Sequence, residues 1–102
     1  MIITMEDYME AQAEVSADKF GYPTAETDCE RITQKIKDEL EEVSADPYDL
    51  EEWIDVIILA LDGYWRHGGE PKHIVSHLVN KLEKIKGRNY KLIENGTFQH
   101  ES

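Results

Sequence analysis

The segment from Pro47 to His67 restricts the possible folds of this chain more than any other stretch. At about 100° per residue, one broad side of a helix over this segment is apolar. That side carries Leu50, Trp53, Ile54, Ile57, Ile58, Leu61, Tyr64 and Trp65. Val56 and Leu59 are apolar on the opposite side. Because a helix that is apolar on most sides must be surrounded by protein, we predict a core helix here, with Asp46 as its N-cap.

Three further segments have helical spacing and clear boundaries. They cover residues 5–18, 27–44 and 71–86. The second of them opens with the sequence Thr27-Asp28-Cys29-Glu30, which fits a capping box. Strand signals are almost absent, and the short connections favour antiparallel packing of successive helices. We therefore predict an all-α, four-helix bundle-like domain over residues 1–92, followed by a polar tail over residues 93–102.

Carboxylates interrupt the apolar sides of the third helix. Glu52, Asp55 and Asp62 project between apolar residues, and burying an unpaired carboxylate is costly unless a cation, a donor or a proton compensates it. On the second helix, Glu39 and Glu42 are three residues apart and share one surface. If the two helices form a hairpin, four carboxylates converge and form a site that suits Mg²⁺ or Mn²⁺. From spacing alone, the favoured alternative is an acidic face in contact with water.

Charge and composition restrict the functions open to such a domain. The net charge of −11 opposes binding to nucleic acid, whose phosphates require Lys and Arg. It also means that a phosphorylated ligand would need a metal cation as screen. No apolar run approaches the roughly 18 residues of a membrane span, and a single cysteine, Cys29, forms no internal disulfide. We expect a cytoplasmic protein without membrane or nucleic-acid partners, with Cys29 in its core.

Other residue patterns leave alternatives open. A basic segment, either a phosphate-facing edge or a set of cations at a helix C-terminus, contains Lys81, Lys84, Lys86, Arg88 and Lys91. His73 and His77 have a spacing that zinc ligands use, but without an HExxH pattern exposed histidines are favoured. Trp53, Tyr64 and Trp65 are expected in the core rather than stacked on a base. P-loop, Rossmann and GxSxG patterns are absent.

The acidic segments also resemble a known family. Asp38-Glu39-Leu40-Glu41-Glu42 followed by Glu52-Trp53-Ile54-Asp55 is similar to the EExxE…ExxD signature of the MazG-like, all-α nucleoside triphosphate pyrophosphohydrolases. The run from Asp49 to Gly68 resembles a phage and bacterial dATP/dGTP diphosphohydrolase-like branch of that family. The resemblance covers about residues 30–90. Two features depart from the family: Asp38 stands where Glu is usual, and the gap between the acidic pairs is shorter.

The resemblance implies roles for individual residues. The implied metal ligands are Glu39, Glu42, Glu52 and Asp55, with Mg²⁺ as cofactor and Mn²⁺ as a substitute. The implied catalytic residues are Glu39, Glu42 and Asp38. At the substrate, the resemblance implies Asp62 as an auxiliary group, Lys81 on phosphate, Lys84 or Arg88 as a second cation in place of Ile85, and Gln12 or Tyr8 near the base.

The resemblance also implies the reaction. Water would attack the α-phosphorus of a nucleoside triphosphate and release nucleoside monophosphate and pyrophosphate. The expected substrates are purine dNTPs. Two alternative functions remain. A dUTP-selective all-α hydrolase would share the site and differ in its base, whereas a non-catalytic acidic helical interaction module would not be an enzyme. Because the chain is short and its third helix is apolar on most sides, we expect a homodimer or homotetramer.

Overall fold

The computed structural model describes residues 1–93 and 96–101, which form four α-helices and one short β-hairpin. The helices are α1 (Met5–Phe20), α2 (Ala25–Ala45), α3 (Leu50–Arg66) and α4 (Ile74–Lys86), with a 3₁₀ turn at Pro71–His73 before α4. The antiparallel strands are β1 (Asn89–Leu92) and β2 (Phe98–Glu101). The prediction of an all-α domain is confirmed.

Packing divides the helices into a hairpin and a crossing pair. α2 and α3 run side by side, and Ile32 of α2 is buried next to Gly63 of α3. α1 lies against both α3 and α4, and its Met9 meets Leu61 and Ile74 in the core. Partly buried side chains around this core are Met5, Tyr8, Tyr64 and Trp65. Since α4 packs mainly on α1, the α2–α3 hairpin keeps one side open.

The single chain is more extended than a compact domain of its length. Its radius of gyration is 15.9 Å, whereas a compact chain of 100 residues has about 13 Å. Exposed apolar side chains include Leu50, Trp53, Ile54 and Ile57 on α3, and Val75, Leu78, Val79, Leu82 and Ile85 on α4. The expectation that α3 is surrounded by protein is therefore wrong for one chain by itself. The expectation that Trp53 lies in the core is also wrong, because it is 47% exposed.

The predicted start of α2 is wrong by two residues. The helix begins at Ala25 with Thr24 as N-cap, instead of opening with a capping box at Thr27. The Asp28 carboxylate accepts a hydrogen bond from the Thr24 backbone N–H (2.8 Å). The first turn is therefore held by Asp28, which the sequence pattern placed inside the capping box.

The predicted start of α3 is also displaced. α3 begins at Leu50, and its N-cap is Asp49, whose side chain accepts a backbone hydrogen bond from the first turn. Asp46, the expected N-cap, instead accepts from the Tyr48 backbone N–H (3.3 Å) in the connection between the helices. Two aspartates in one short connection can both cap, and the second one starts the helix.

The predicted polar tail is partly a β-strand. β2 pairs with β1 in the register Tyr90↔His100 and Leu92↔Phe98. Strands of four residues give too little alternation for the sequence to indicate them. Residues 94, 95 and 102 lie outside the described part of the chain.

The prediction of a buried Cys29 is wrong, because the side chain is exposed. The inward side of α2 passes through its neighbour Asp28 and through Ile32, so Cys29 is rotated towards solvent. Among the described residues, none of the helices combines the length and the apolar composition that crossing a membrane requires.

Candidate active site

The α2–α3 hairpin gathers four carboxylates at one end. Glu39 and Glu42 are one turn apart in the second half of α2, and Glu52 and Asp55 occupy the first turns of α3. The connection over residues 46–49 is short and is closed by a backbone hydrogen bond of 3.2 Å. We refer to Glu39, Glu42, Glu52 and Asp55 as the carboxylate cluster.

Three members of the carboxylate cluster lie close enough to share one cation. One oxygen each from Glu39, Glu52 and Asp55 lies within 4.8 Å of the other two. Oε2 of Glu39 and Oε2 of Glu52 are buried and have no hydrogen-bond partner among the described residues. Such oxygens are costly unless a cation or a proton compensates them, and carboxylate oxygens are the ligands that Mg²⁺ prefers. The donor set therefore fits a hard divalent cation.

Glu42 joins the carboxylate cluster through Glu52. The close approach of the Glu42 carboxylate, together with burial and the neighbouring Glu39 carboxylate, raises the pKa of Glu52 to about 7 from its ordinary value of 4.5. At neutral pH, the cluster without a cation therefore retains a shared proton on Glu52 for much of the time. A cation that binds here has to displace this proton.

We expect the metal-free protein to lose stability as the pH rises from about 5 to about 8. The carboxyl group of Glu52 holds its proton more tightly in the folded chain, because its pKa rises from 4.5 to about 7 on folding. The contribution of this proton to the free energy of unfolding is complete below about pH 4.5 and is lost as the pH rises through about 7. Thermal melts in EDTA across this range measure the effect.

The control for this prediction is a pair of neighbouring glutamates on α3. Glu52→Gln should flatten the pH dependence, whereas Glu51→Gln, at an exposed position of the same turn, should keep it. Added Mg²⁺ should stabilise the wild type most at the alkaline end. A Glu52→Gln melt that follows the wild-type pH profile would contradict the assignment.

Among the described residues, Asp38 and the predicted phosphate-binding cations make no hydrogen bond or ion pair with the carboxylate cluster. Asp38 is exposed on α2 and accepts a hydrogen bond from the Gln34 side chain (3.0 Å). Lys81 and Lys84 are exposed on α4, and Arg88 follows it. In the described ranges, no ion pair joins these three cations to a carboxylate of the cluster.

The two histidines on the fourth helical segment make other contacts. The Nδ1 atom of His77 lies 2.6 Å from the hydroxyl of Tyr64, and Nδ1 of His73 lies 3.5 Å from a carboxylate oxygen of Glu70. Both side chains are exposed. Within the described residues they belong to no group of three metal-ligating side chains, which agrees with the favoured reading of exposed histidines.

Sequence reasoning missed a buried arginine. The Arg66 side chain is fully buried at the end of α3 and contacts all of the first three helices or their ends. Its guanidinium donates to Asp62 (3.1 Å), to Asp28 (3.2 Å), to the Ser16 hydroxyl (2.7 Å) and to the Gly21 carbonyl (2.9 Å). The spacing of Asp62 and Arg66 was a signal for an ion pair. An arginine in a last helical turn, however, is usually an exposed partner of the helix dipole.

The two aspartates of this buried network, Asp28 and Asp62, each accept several hydrogen bonds. Asp62, expected as an auxiliary group at the substrate, also accepts a hydrogen bond from the Ser16 hydroxyl (2.6 Å). The Thr24 backbone N–H and, after it, the Arg66 guanidinium lower the pKa of Asp28 against the opposing effect of burial. Both carboxylates are therefore held in place by donors from the chain itself.

A cavity of about 140 Å³ lies between α1, α2 and α3. Its walls include Gln12 and Val15 of α1, Arg31 and Lys35 of α2, and Ile58 and Leu59 of α3. Ile58 and Leu59 follow Asp55 by one helical turn, so this interhelical cavity lies next to the carboxylate cluster along α3. The Gln12 side-chain amide donates to the Ile58 carbonyl (2.9 Å). Tyr8, the other candidate for the base, packs against the Met9 core.

The profile of one protein family, described as dATP/dGTP pyrophosphohydrolase, matches residues 8–101. This match covers most of the chain, from α1 to the β-hairpin, and includes both acidic pairs. The chain belongs to the dATP/dGTP pyrophosphohydrolase family. It is therefore a nucleotide pyrophosphohydrolase, a hydrolase that acts on acid anhydrides, and the resemblance to MazG-like enzymes is confirmed. Comparisons with curated proteins and with solved structures find no match.

Proposed function

We propose that this member of the family uses Mg²⁺ to hydrolyse purine deoxynucleoside triphosphates to the monophosphate and pyrophosphate. The carboxylate cluster carries the proposal, because buried oxygens of Glu39 and Glu52 have no partner among the described residues and fit a hard cation. The family description, which contains dATP and dGTP, supports the purine preference. Mn²⁺ is the expected substitute. A cytoplasmic location, where nucleotides and Mg²⁺ are present together, is part of the proposal.

The carboxylate cluster has two tasks in this reaction. Its four side chains would hold the cation, and Mg²⁺ bound there would neutralise phosphate charge and lower the pKa of water. We assign the proton acceptor to Glu42, because its side chain is exposed beside Glu52. Glu42 takes a proton from the water whose oxygen bonds to the α-phosphorus. The bond from that phosphorus to the oxygen bridging the β-phosphorus breaks, and pyrophosphate leaves with the bridging oxygen.

Residues outside the carboxylate cluster have supporting roles in this proposal. Asp38 is four residues before Glu42 on α2 and would orient the attacking water from the solvent side. Gln12 would contact the base in the interhelical cavity. Asp62, which also lines that cavity, would act through the positions of Ser16 and Arg66 rather than by direct contact with substrate.

We also propose that the enzyme is a homodimer or homotetramer in which α4 of a partner subunit supplies cations to the triphosphate. The apolar sides of α3 and α4 are exposed in one chain, which supports this assembly. Lys81 and Lys84 are exposed on α4 and form no ion pair with the carboxylate cluster of the same chain among the described residues, and Arg88 follows the end of this helix. Sedimentation at micromolar concentration should show a dimer or tetramer. A stable monomer with full activity would contradict the assembly.

The test of the function is a product assay. The purified protein is incubated with each of the common dNTPs, including dUTP, in Mg²⁺ and in EDTA, and monophosphate and pyrophosphate are measured. With dATP and with dGTP, we expect monophosphate and pyrophosphate to form in equal amounts in Mg²⁺. Neither product should form in EDTA. Turnover confined to dUTP would replace the purine preference with the dUTP-selective alternative. No turnover with any dNTP, and no thermal stabilisation by Mg²⁺ plus nucleotide, would overturn the proposal.

A further inference from the structure

Most of the surface that lines the interhelical cavity is apolar, but its walls also include the polar residues Gln12, Ser16, Arg31, Lys35 and Asp62. Val15, Ile58 and Leu59 contribute apolar walls. Oε1 of Gln12 and Nη2 of Arg31 are both withdrawn from solvent, and neither has a hydrogen-bond partner among the described residues. One of these atoms can only accept a hydrogen bond, and the other can only donate one. Unsatisfied polar atoms in an apolar cavity indicate a ligand with complementary groups.

The orientation of the Gln12 amide is determined by its neighbour on α3. Only the nitrogen of the amide can donate to the Ile58 carbonyl, at 2.9 Å. The buried Oε1 atom is therefore the one that remains without a hydrogen bond among the described residues. A ligand has to present an N–H group to satisfy it.

Arg31 has a donor that its acidic neighbours do not use. Its Nη2 atom lies 3.6 Å from Asp28 and 3.9 Å from Asp62, which is ion-pair distance but too far for a hydrogen bond. Both carboxylates already accept hydrogen bonds from Arg66. The Arg31 guanidinium carbon also lies 5.3 Å from the centre of the Phe20 ring, which restrains the side chain at the cavity wall.

We propose that Arg31 is a base-binding residue whose Nη2 donates a hydrogen bond to an acceptor on the edge of a nucleobase in the interhelical cavity. Gln12 Oε1 accepts from the N–H group beside that acceptor. Adenine offers its amino group beside a ring nitrogen, and guanine offers N1–H beside O6, so both purines match the pair. Cytosine and thymine offer comparable edges, so the pair binds a base and does not by itself select purines. This inference rests on the proposed function, because it names the part of the same site that holds the base.

The test compares substrates with and without a base. dATP, dGTP and 2-deoxyribose 5-triphosphate, which has no base, are hydrolysed by wild type, Arg31→Met and Lys37→Met. Lys37 is the matched control, because it is an exposed cation on the same helix and is not one of the residues that line the cavity. Arg31→Met should lower kcat/KM for dATP and dGTP by about 10- to 100-fold, mainly through KM, as expected for a charged hydrogen bond. It should leave hydrolysis of the base-free substrate unchanged, and Lys37→Met should affect none of the three substrates.

Three outcomes overturn the inference. An equal loss on all three substrates would show that Arg31 acts only through its ion pairs with Asp28 and Asp62. No loss on dATP or dGTP would show that the base does not contact it. A base-dependent loss of the same size in Lys37→Met would show that the effect comes from the positive charge of α2 and not from a contact with the base. If the wild type hydrolyses none of the substrates, the proposed function fails, and the inference fails with it.

A second measurement avoids variants that unfold. Wild-type enzyme is given dATP and its 1-deaza and 7-deaza analogues, in which one ring nitrogen is replaced by C–H and cannot accept a hydrogen bond. One analogue should lose about 10- to 100-fold in kcat/KM, while the other should match dATP. Hydrolysis of both analogues as efficiently as dATP overturns the inference.

Discussion

Glu39→Gln and Asp55→Asn are each expected to reduce pyrophosphate release from dATP by about 1000-fold or more. Each substitution replaces a carboxylate of the carboxylate cluster with a neutral amide of the same shape, so the cation is held less tightly and its charge is less well placed. A loss of this size corresponds to about 4 kcal/mol of transition-state free energy, which is within the range that a metal ion supplies. The measurement is the initial rate of pyrophosphate formation in saturating Mg²⁺.

Matched controls for these variants lie on the same helices. Glu41→Gln on α2 and Glu51→Gln on α3 remove one negative charge each from exposed positions beside the cluster. Both should keep activity close to wild type, and both should keep the thermal stabilisation by Mg²⁺ that Glu39→Gln and Asp55→Asn lose. Pyrophosphate formed at the same rate by all four variants would remove the carboxylate cluster from the mechanism.

Arg66→Met is expected to lower the free energy of unfolding by about 3–5 kcal/mol, a large fraction of the stability of a small domain. The substitution leaves two buried carboxylates, Asp28 and Asp62, without the guanidinium that donates to both of them. It also removes the bonds that join the end of α3 to Ser16 and Gly21. Urea denaturation at neutral pH, followed by circular dichroism, measures the change.

A combined variant separates the lost charge pairing from lost packing. Arg66→Met with Asp28→Asn and Asp62→Asn has no uncompensated buried charge and should recover part of the stability, because neighbouring residues of one network are not additive. Lys19→Met, at an exposed position of the last turn of α1, is the control for loss of a surface cation. A loss below about 1 kcal/mol in Arg66→Met would show that the network contributes little.

Periodicity predicted the α2–α3 hairpin because both helices have strong local signals. Pairs three residues apart, Glu39 with Glu42 and Glu52 with Asp55, share a helix face by geometry alone. The short connection then leaves little choice about which faces meet. The structure brings three of these four carboxylates within reach of one cation, while their role as ligands remains the proposal that the variants test.

The sequence did not predict the contacts between residues that are far apart along the chain. Arg66 is 38 residues from Asp28 and 50 from Ser16, and no local pattern indicates that a last-turn arginine turns inward to meet them. The same holds for Arg31, whose unused donor becomes visible only when α1 and α3 surround it. The hairpin at residues 89–101 was missed for a different reason, since its strands have only four residues each.

Because the carboxylate cluster lies within one helical hairpin, substitutions that change base binding can be distinguished from substitutions that change hydrolysis. All four acidic groups come from residues 39–55, a single local stretch, whereas the interhelical cavity also needs α1. Substitutions in α1 should therefore alter which base fits and leave the hydrolytic machinery intact. Relatives that share the hairpin but differ in their first helix should cleave the same bond in different nucleotides.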